Sequence, residues 1–497
     1  MKNTVHLVTY VDRLSGGGIA ELSAILRGPL KGLFGGVHLL PFFFPIDGAD
    51  AGFDPIDHSR VDSRLGGWAE IKVLADEVEV MADLIVNHIS SRAPQFQDFL
   101  RNGSRAHYRG LFLTTETVFP DGPTESDLIA IYRPRPGAPF TRYTLDSGES
   151  RMLWTTFTPE QIDIDVLDPQ GEAYLNRILE TFAANRIKSV RLDAVGYAIK
   201  KKGTSCFLLP ETIGFIGRLS QRAHSLGIEV LVEVHSHYRR QIELAAHVPW
   251  VYDFALPPLV LHAYAFRTAK YLKDWIRIRP TNAVTVLDTH DGIGILDIGP
   301  GRYDESGPGL VPLDELDQLV DWIHSNSSGE SRLATGASAS NLDLYQVNCT
   351  FYDALRRNNL RYLLARAIQF FLPGIPQIYY VGLLAGQNDM ELLTKTGTGR
   401  DINRHFYAPG EIEQALQKPV VQDLVKLIRL RNSHPAFQGG FHLESGPDDS
   451  ISLRWDRGVD FAHLRVWFDD LRYRIEVSGP GGIERFLFAC AQEGPDE

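Results

Sequence analysis

The chain has 497 residues, 44% of them hydrophobic and 23% charged, which is material for a large core and too much chain for one small domain. The net charge of −12 and pI of about 5.8 argue against nucleic acid or an anionic membrane as partner. An anionic small substrate stays open, because a few local arginines can hold one.

Strand-like apolar runs recur through the first three-quarters of the chain. They are Val5–Tyr10, Gly36–Pro41, Val80–His88, Ile187–Val195, Glu229–His235, Trp250–Leu256, Ala283–Thr289 and Ile375–Val381. Helix-like stretches follow most of them: Gly18–Leu26, Trp68–Glu77, Pro169–Asn185, Pro210–Leu226, Tyr264–Ile276 and Leu360–Phe371. Alternating strand and helix predicts parallel βαβ units, and eight of them predict an α/β fold, a closed (β/α)₈ TIM barrel. Ser15-Gly16-Gly17-Gly18 reads as a loop and helix start rather than a phosphate cradle, since a lone glycine run is weak.

Two long insertions interrupt the alternation. One, roughly 89–162, is rich in Pro, Gly, Arg and aromatics and contains Arg133-Pro134-Arg135-Pro136-Gly137. The other, roughly 292–352, carries Asn341-Leu342-Asp343-Leu344-Tyr345-Gln346. Both follow strand carboxyl ends, so both belong over the mouth of a barrel, where long insertions serve as lids or binding loops. After Ala436 the pattern changes to short alternating strands, Ser450–Arg454, Val459–Phe468 and Tyr473–Val477, which predict a small all-β C-terminal domain. The expected division is barrel 1–88, 167–291 and 357–436, a first insertion 89–166, a second 292–356, and a β-rich domain 437–497.

Three of the apolar runs end in carboxylates: Asp193, Glu233 and Asp291. Glu233 follows Asp193 by 40 residues and Asp291 follows Glu233 by 58. One βα unit of a barrel takes roughly 30 residues, so these gaps fit about one unit and about two, and the acids would converge on one pocket. Residues i and i+2 share a strand face, so Arg191 and Asp193 point the same way, as do Glu233 and His235. Arg191 would keep Asp193 ionised, as a nucleophile needs. Glu233, in an apolar strand without a cation beside it in sequence, would be raised by desolvation, as a general acid needs. Two carboxyls held apart in pKa serve glycosidic bond chemistry.

The strings Asp83-Leu84-Ile85-Val86-Asn87-His88, Val190-Arg191-Leu192-Asp193-Ala194-Val195, Val232-Glu233-Val234-His235 and Leu287-Asp288-Thr289-His290-Asp291 resemble, in order, the four signature regions of the α-amylase superfamily, glycoside hydrolase family 13. Asp50 to His58, the Arg-Pro-Arg-Pro-Gly loop, Asn341–Asn348 and Gly399–His405 narrow the resemblance to its sucrose phosphorylases. The resemblance implies a two-step retaining transfer. Asp193 would attack the glucosyl carbon of sucrose, Glu233 would protonate the departing fructose and then assist phosphate, and Asp291 would stabilise the oxocarbenium-like transition state. The products would be α-glucose 1-phosphate and fructose. It also implies substrate contacts from Asp50, Phe53, His88, Phe157, Arg191, Leu192, His235, His290 and Arg400 around glucose. Arg135, Asp343, Leu344, Tyr345 and Gln346 would face first fructose and then phosphate. Asp343 would bond fructose yet repel phosphate, so its loop is expected to move between half-reactions.

No cofactor is expected, because protonation and electrostatics carry such a step. No metal is expected either: amylases of the superfamily hold calcium through the residue matching Asn87, but no acidic ligand cluster stands out in the insertion. Cys206, Cys349 and Cys490 are far apart and read as reduced thiols, which with no signal peptide before Val5 and no apolar stretch of about 20 residues suggests a cytoplasmic protein. A homodimer is a family-level expectation. Other readings are a related phosphorylase acting on glucosylglycerol, glucosylglycerate or sucrose 6-phosphate, and an α-glucoside hydrolase, which would not need Arg135.

Overall fold

The structure, a computed structural model, describes residues 1–48, 50–135, 137–301, 307–335 and 346–489. Among the described residues, eight parallel strands close into a barrel. They are β1 (His6–Thr9), β2 (Gly36–Leu39), β3 (Glu79–Ile85), β4 (Ser189–Asp193), β5 (Glu229–Val232), β6 (Trp250–Asp253), β7 (Ala283–Thr285) and β8 (Ile375–Tyr379). Each neighbours the next in sequence, and β8 closes against β1 with Leu7 opposite Ile378. All eight lie on the apolar runs expected from sequence. The runs overshoot because their last residues, such as Glu233 and His235, already belong to the loops that form the mouth.

Strand alternation explains both cores. Val190 and Leu192 of β4 are fully buried against the helical layer, while Arg191 and Asp193 point into the barrel. Met81, Leu231, Tyr252, Val284 and Ile375, one from each of five strands, pack together in the barrel interior, a filled core rather than a pore. The helix Pro169–Ala184 shows how the outer layer forms. Pro169 takes the first turn, Asp168 caps it by accepting from the Gln170 amide at 2.8 Å, and Tyr174, Leu175, Ile178, Leu179 and Phe182 fall on one buried stripe.

One helix expectation is corrected. Tyr264–Ile276 is not continuous: a helix runs Leu256–Phe266, Arg267 adopts a left-handed φ of 54°, and a second helix runs Lys270–Ile278. The first begins early because Pro257 and Pro258 sit in its opening turn, where a missing N–H costs nothing. The glycine run after β1 is the loop and helix start expected. Gly16 turns at φ 63°, and Glu21 caps the Gly18 amide at the head of Ile19–Arg27.

The first insertion leaves the end of β3 on an antiparallel stem, His88–Ser90 against Gln161–Asp163, and has its own small core of Leu113, Phe119, Ile131 and Trp154. The second leaves the end of β7 on a stem of Ile293–Gly294 against Gln346–Val347. The C-terminal sheet has five antiparallel strands, β9 (Gly440–Leu443), β10 (Ser450–Arg457), β11 (Asp460–Trp467), β12 (Tyr473–Gly479) and β13 (Gly482–Phe486). Sequence gave no sign of β9 and β13, whose faces are largely exposed. Trp455 locks the sheet to the barrel: its indole N–H donates to the Phe371 carbonyl at 2.7 Å, and its ring meets Phe437. No described helix is long and apolar enough to cross a membrane.

Candidate active site

Asp193, Glu233 and Asp291 meet at the carboxyl end of the barrel, in a cavity of about 440 Å³. Their side chains are 13%, 11% and 9% exposed. Asp193 ends β4, and Ala194 at φ 54° turns the chain out of the barrel directly behind it. Glu233 follows β5 by one residue.

Arg191 organises two of the acids. Its Nη2 donates to Asp193 Oδ1 at 2.9 Å and its Nη1 to Glu233 Oε1 at 3.0 Å, while Nε donates to Asp83, which also faces His38 at 3.3 Å. This corrects the sequence reading, in which Arg191 served Asp193 alone and Glu233 had no cation. Burial and the charge of Glu233 push the Asp193 carboxyl well above the usual range, against the pull of Arg191. The two carboxyls therefore behave as one coupled pair beneath one guanidinium.

Asp291 stands on a different support. Arg400 Nη1 lies 2.9 Å from its Oδ1 and Arg404 Nη2 lies 3.8 Å away. Its pKa is held far below the carboxylate range: the charges of Arg400 and Arg404 overcome the burial penalty. The turn before it is clamped, since Asn403 donates to the Thr289 carbonyl and Arg404 Nε to the His290 carbonyl, each at 2.9 Å.

The pocket walls hold most of the remaining candidates. Asp50, Phe53, His88, Arg135, Phe157, His235, His290, Gln346 and Arg400 all line it. Phe53 stacks on His290 with ring centres 5.0 Å apart, and its carbonyl faces His88 Nε2 at 2.9 Å. Burial lowers the pKa of both His88 and His290, so neutral imidazoles face the cavity. Arg135 is turned toward Asp50, Asp291 and Arg400, and its own pKa is lowered by burial and by the charge of Arg400.

The Leu192 side chain does not reach the cavity. It is fully buried in the outer core and does not line the cavity, because the alternation that points Arg191 and Asp193 inward points Leu192 outward. Asp343, Leu344 and Tyr345 lie outside the described residues.

Glu233, His235 and Asp291 bring ligand atoms within 4.8 Å of one another, a spacing a cation could use. Arg191 and Arg400 already stand against the two carboxylates. Elsewhere, the Lys200 ammonium lies 2.7 Å from Asn87 Oδ1 and 2.7 Å from Asp163 Oδ2, and bonds the Tyr197 carbonyl. Asp163 is the acid of the first insertion that the sequence reading did not find, and a lysine compensates it.

Several known proteins resemble this chain over nearly its full length. The alpha-amylase catalytic-domain family matches residues 30–238. A sucrose phosphorylase of Agrobacterium vitis is 58% identical over 96% of this chain and 98% of its own length. One from Bifidobacterium adolescentis is 54% identical over 92% and 90%. The chain belongs to the sucrose phosphorylase family. A solved structure, the sucrose 6F-phosphate phosphorylase from Thermoanaerobacter thermosaccharolyticum, superposes with a TM-score of 0.90 at 40% identity, covering 98% of each chain.

Sequence reasoning missed several residues that line the pocket. Tyr132 and Phe207 stack at 4.6 Å and Tyr197 meets Phe207 at 4.7 Å, forming an aromatic wall. Gln161 and Arg240 also line it. None of these shares a strand register with the acids, so spacing could not reveal them. Arg404 and Asp83 lay inside quoted motifs, where a basic or acidic residue beside a named candidate was the available signal.

Proposed function

We propose that the protein is a sucrose phosphorylase, a glycosyltransferase that moves the glucosyl unit of sucrose to inorganic phosphate with retention. The observation that carries this reading is the fork of Arg191, which holds Asp193 and Glu233 side by side under the pocket. Retaining glycosidases keep their two carboxyls about 5 Å apart, whereas inverting ones leave about 6.5–9.5 Å for a water. Two carboxyls bonded to the two terminal nitrogens of one guanidinium match the close pair.

When sucrose binds, Glu233 presents a proton to the fructosyl oxygen and Asp193 is the attacking carboxylate. Asp193 attacks the anomeric carbon, the glycosidic C–O bond breaks, and the proton from Glu233 leaves with fructose. Phosphate then attacks the glucosyl ester, Glu233 takes the phosphate proton where one is present, and Asp193 is released. Asp291, ionised and fixed by Arg400 and Arg404, faces the positive charge that develops on the ring. Asp50, His88, His290 and Arg400 hold the glucosyl hydroxyls, with Phe53 and Phe157 against its apolar face. Arg135 and Gln346 serve the acceptor side, with Asp343, Leu344 and Tyr345 of the neighbouring loop, and His235, expected from sequence around glucose, joins them because its Nε2 lies 3.3 Å from the Gln346 amide. No metal is assigned to either step, and Lys200 takes the structural role a cation would have between the barrel and the first insertion. Buried free thiols at Cys206 and Cys349 are in keeping with the cytoplasm. A homodimer follows from family likeness alone.

Incubation with sucrose, with and without phosphate, tests the reading. Glucose 1-phosphate formed only with phosphate supports it, and glucose released as the main product in both cases overturns it.

A further inference from the structure

Asp297 lies in the second insertion, outside every motif that marks the site, yet it is fully buried and its carboxylate is aimed with care. Oδ2 lies 3.0 Å from Nδ1 of His235. Oδ1 accepts from the Ser236 amide at 3.2 Å and from Gln241 Nε2 at 2.8 Å. The approach depends on Gly294: a Cβ there would stand 2.2 Å from Asp297 Oδ2 and 3.3 Å from His235 Nδ1. The His235 ring is stacked on Phe254 with centres 3.8 Å apart, so it cannot turn away from its partner.

The other ring nitrogen faces the cavity. Nε2 lies 3.3 Å from the amide nitrogen of Gln346, whose Oε1 is buried without a hydrogen bond. Rotating that amide by half a turn exchanges O and N. Oε1 is then satisfied, provided Nε2 carries a hydrogen. With Nδ1 giving its hydrogen to Asp297, that arrangement is the doubly protonated, cationic ring. The charged groups facing it agree. Asp297 comes from the second insertion, Glu233 from the end of β5 and Asp291 from the end of β7, with Arg400 on Asp291 as the opposing charge. Burial disfavours the charged ring, but Asp297 outweighs it and the pKa is raised.

We propose that Asp297 is a positioning residue that holds His235 as an imidazolium whose Nε2–H serves the acceptor side of the pocket, so that anionic phosphate is preferred over water as the group that takes glucose. The inference rests on the phosphorylase reading above. It adds a fixed cation whose charge is set from outside the pocket, beside the charge of Arg135.

The test compares the wild type with Asp297→Asn, His235→Gln and the double variant across a range of pH. Glucose 1-phosphate formation is measured against phosphate concentration, and sucrose hydrolysis is measured without phosphate. Asp297→Asn should raise the KM for phosphate by about tenfold or more, the order expected for loss of a charge-assisted hydrogen bond, and the ratio of phosphorolysis to hydrolysis should fall with it. The alkaline loss of kcat/KM for phosphate should set in at lower pH than in the wild type. In the His235→Gln background, Asp297→Asn should add nothing further to the phosphate KM. Equal loss of phosphorolysis and hydrolysis with an unmoved pH profile would overturn the proposal, as would an undiminished effect of Asp297→Asn without His235. Should Asp297→Asn fail to fold, Gly294→Ala displaces the same carboxylate without removing it and must show the same KM and pH effects. A wild type that makes no glucose 1-phosphate defeats the phosphorylase reading itself, and that is seen before any variant is compared.

Discussion

Arg191 and Glu233 are 42 residues apart in sequence and 3.0 Å apart in space, and the same guanidinium holds Asp193 at 2.9 Å. The pair of acids is thus set by one planar fork rather than by two independent environments. Lysine offers a single point charge in place of that fork. Arg191→Lys should therefore lower kcat by about 100-fold or more, since a misplacement near 1 Å can cost that much. Steady-state rates with sucrose and phosphate check this, and a loss below about threefold would show that the fork is dispensable.

Asp193→Asn should abolish turnover while keeping the fold, because it removes the attacking oxygen but leaves Arg191 bonded to Asp83 and Glu233. Glu233→Gln should behave differently. It cannot protonate fructose, so sucrose is lost as a donor, but a glucosyl donor whose leaving group needs no proton should still react. Comparing sucrose with α-glucosyl fluoride as donor separates the roles, and equal loss on both donors would remove Glu233 as the acid.

Lys200 is buried, and so is Asp163 beside it. Lys200→Met leaves that carboxylate without its counter-charge, held by the Thr156 amide and hydroxyl, and leaves Asn87 Oδ1 without its donor, which should cost about 3–5 kcal/mol of stability by denaturant unfolding. A chelator should leave the melting temperature of the wild type unchanged. A fall of several degrees in chelator would mean that a cation, and not the lysine alone, holds this junction.

Acid should unfold the protein in a defined window. His6 and His58 are buried and their pKa values are lowered from 6.5 to about 4, chiefly by burial. The unfolded chain binds these protons first as pH falls. Their contribution to stability is therefore intact above pH 6.5, declines below it, and is lost near pH 4. Denaturant midpoints measured from pH 7 to 4 should fall steadily, and replacing His58 by Gln should flatten part of that slope.

The barrel was legible because its strands are apolar runs alternating with helix-like stretches, three of the runs ending in acids, and that pattern survives without any knowledge of neighbours. Asp193, Glu233 and Asp291 could be placed together for the same reason. Leu192 was named with its motif neighbours, although strand alternation already sends its side chain outward. The roles of Arg191 toward Glu233, of Lys200 toward Asp163 and of Asp297 toward His235 join residues 42, 37 and 62 apart, with no periodicity to announce them. The break at Arg267 depends on a left-handed turn at an ordinary residue, which composition does not signal. The edge strands β9 and β13 bury too little to leave an apolar alternation.

The central claim is a double displacement through Asp193, and the anomer of the first-formed product tests it most directly. Proton NMR of glucose 1-phosphate collected in the first turnovers from sucrose and phosphate should show the α anomer, the result of two inversions. The β anomer, the result of one, would contradict the account.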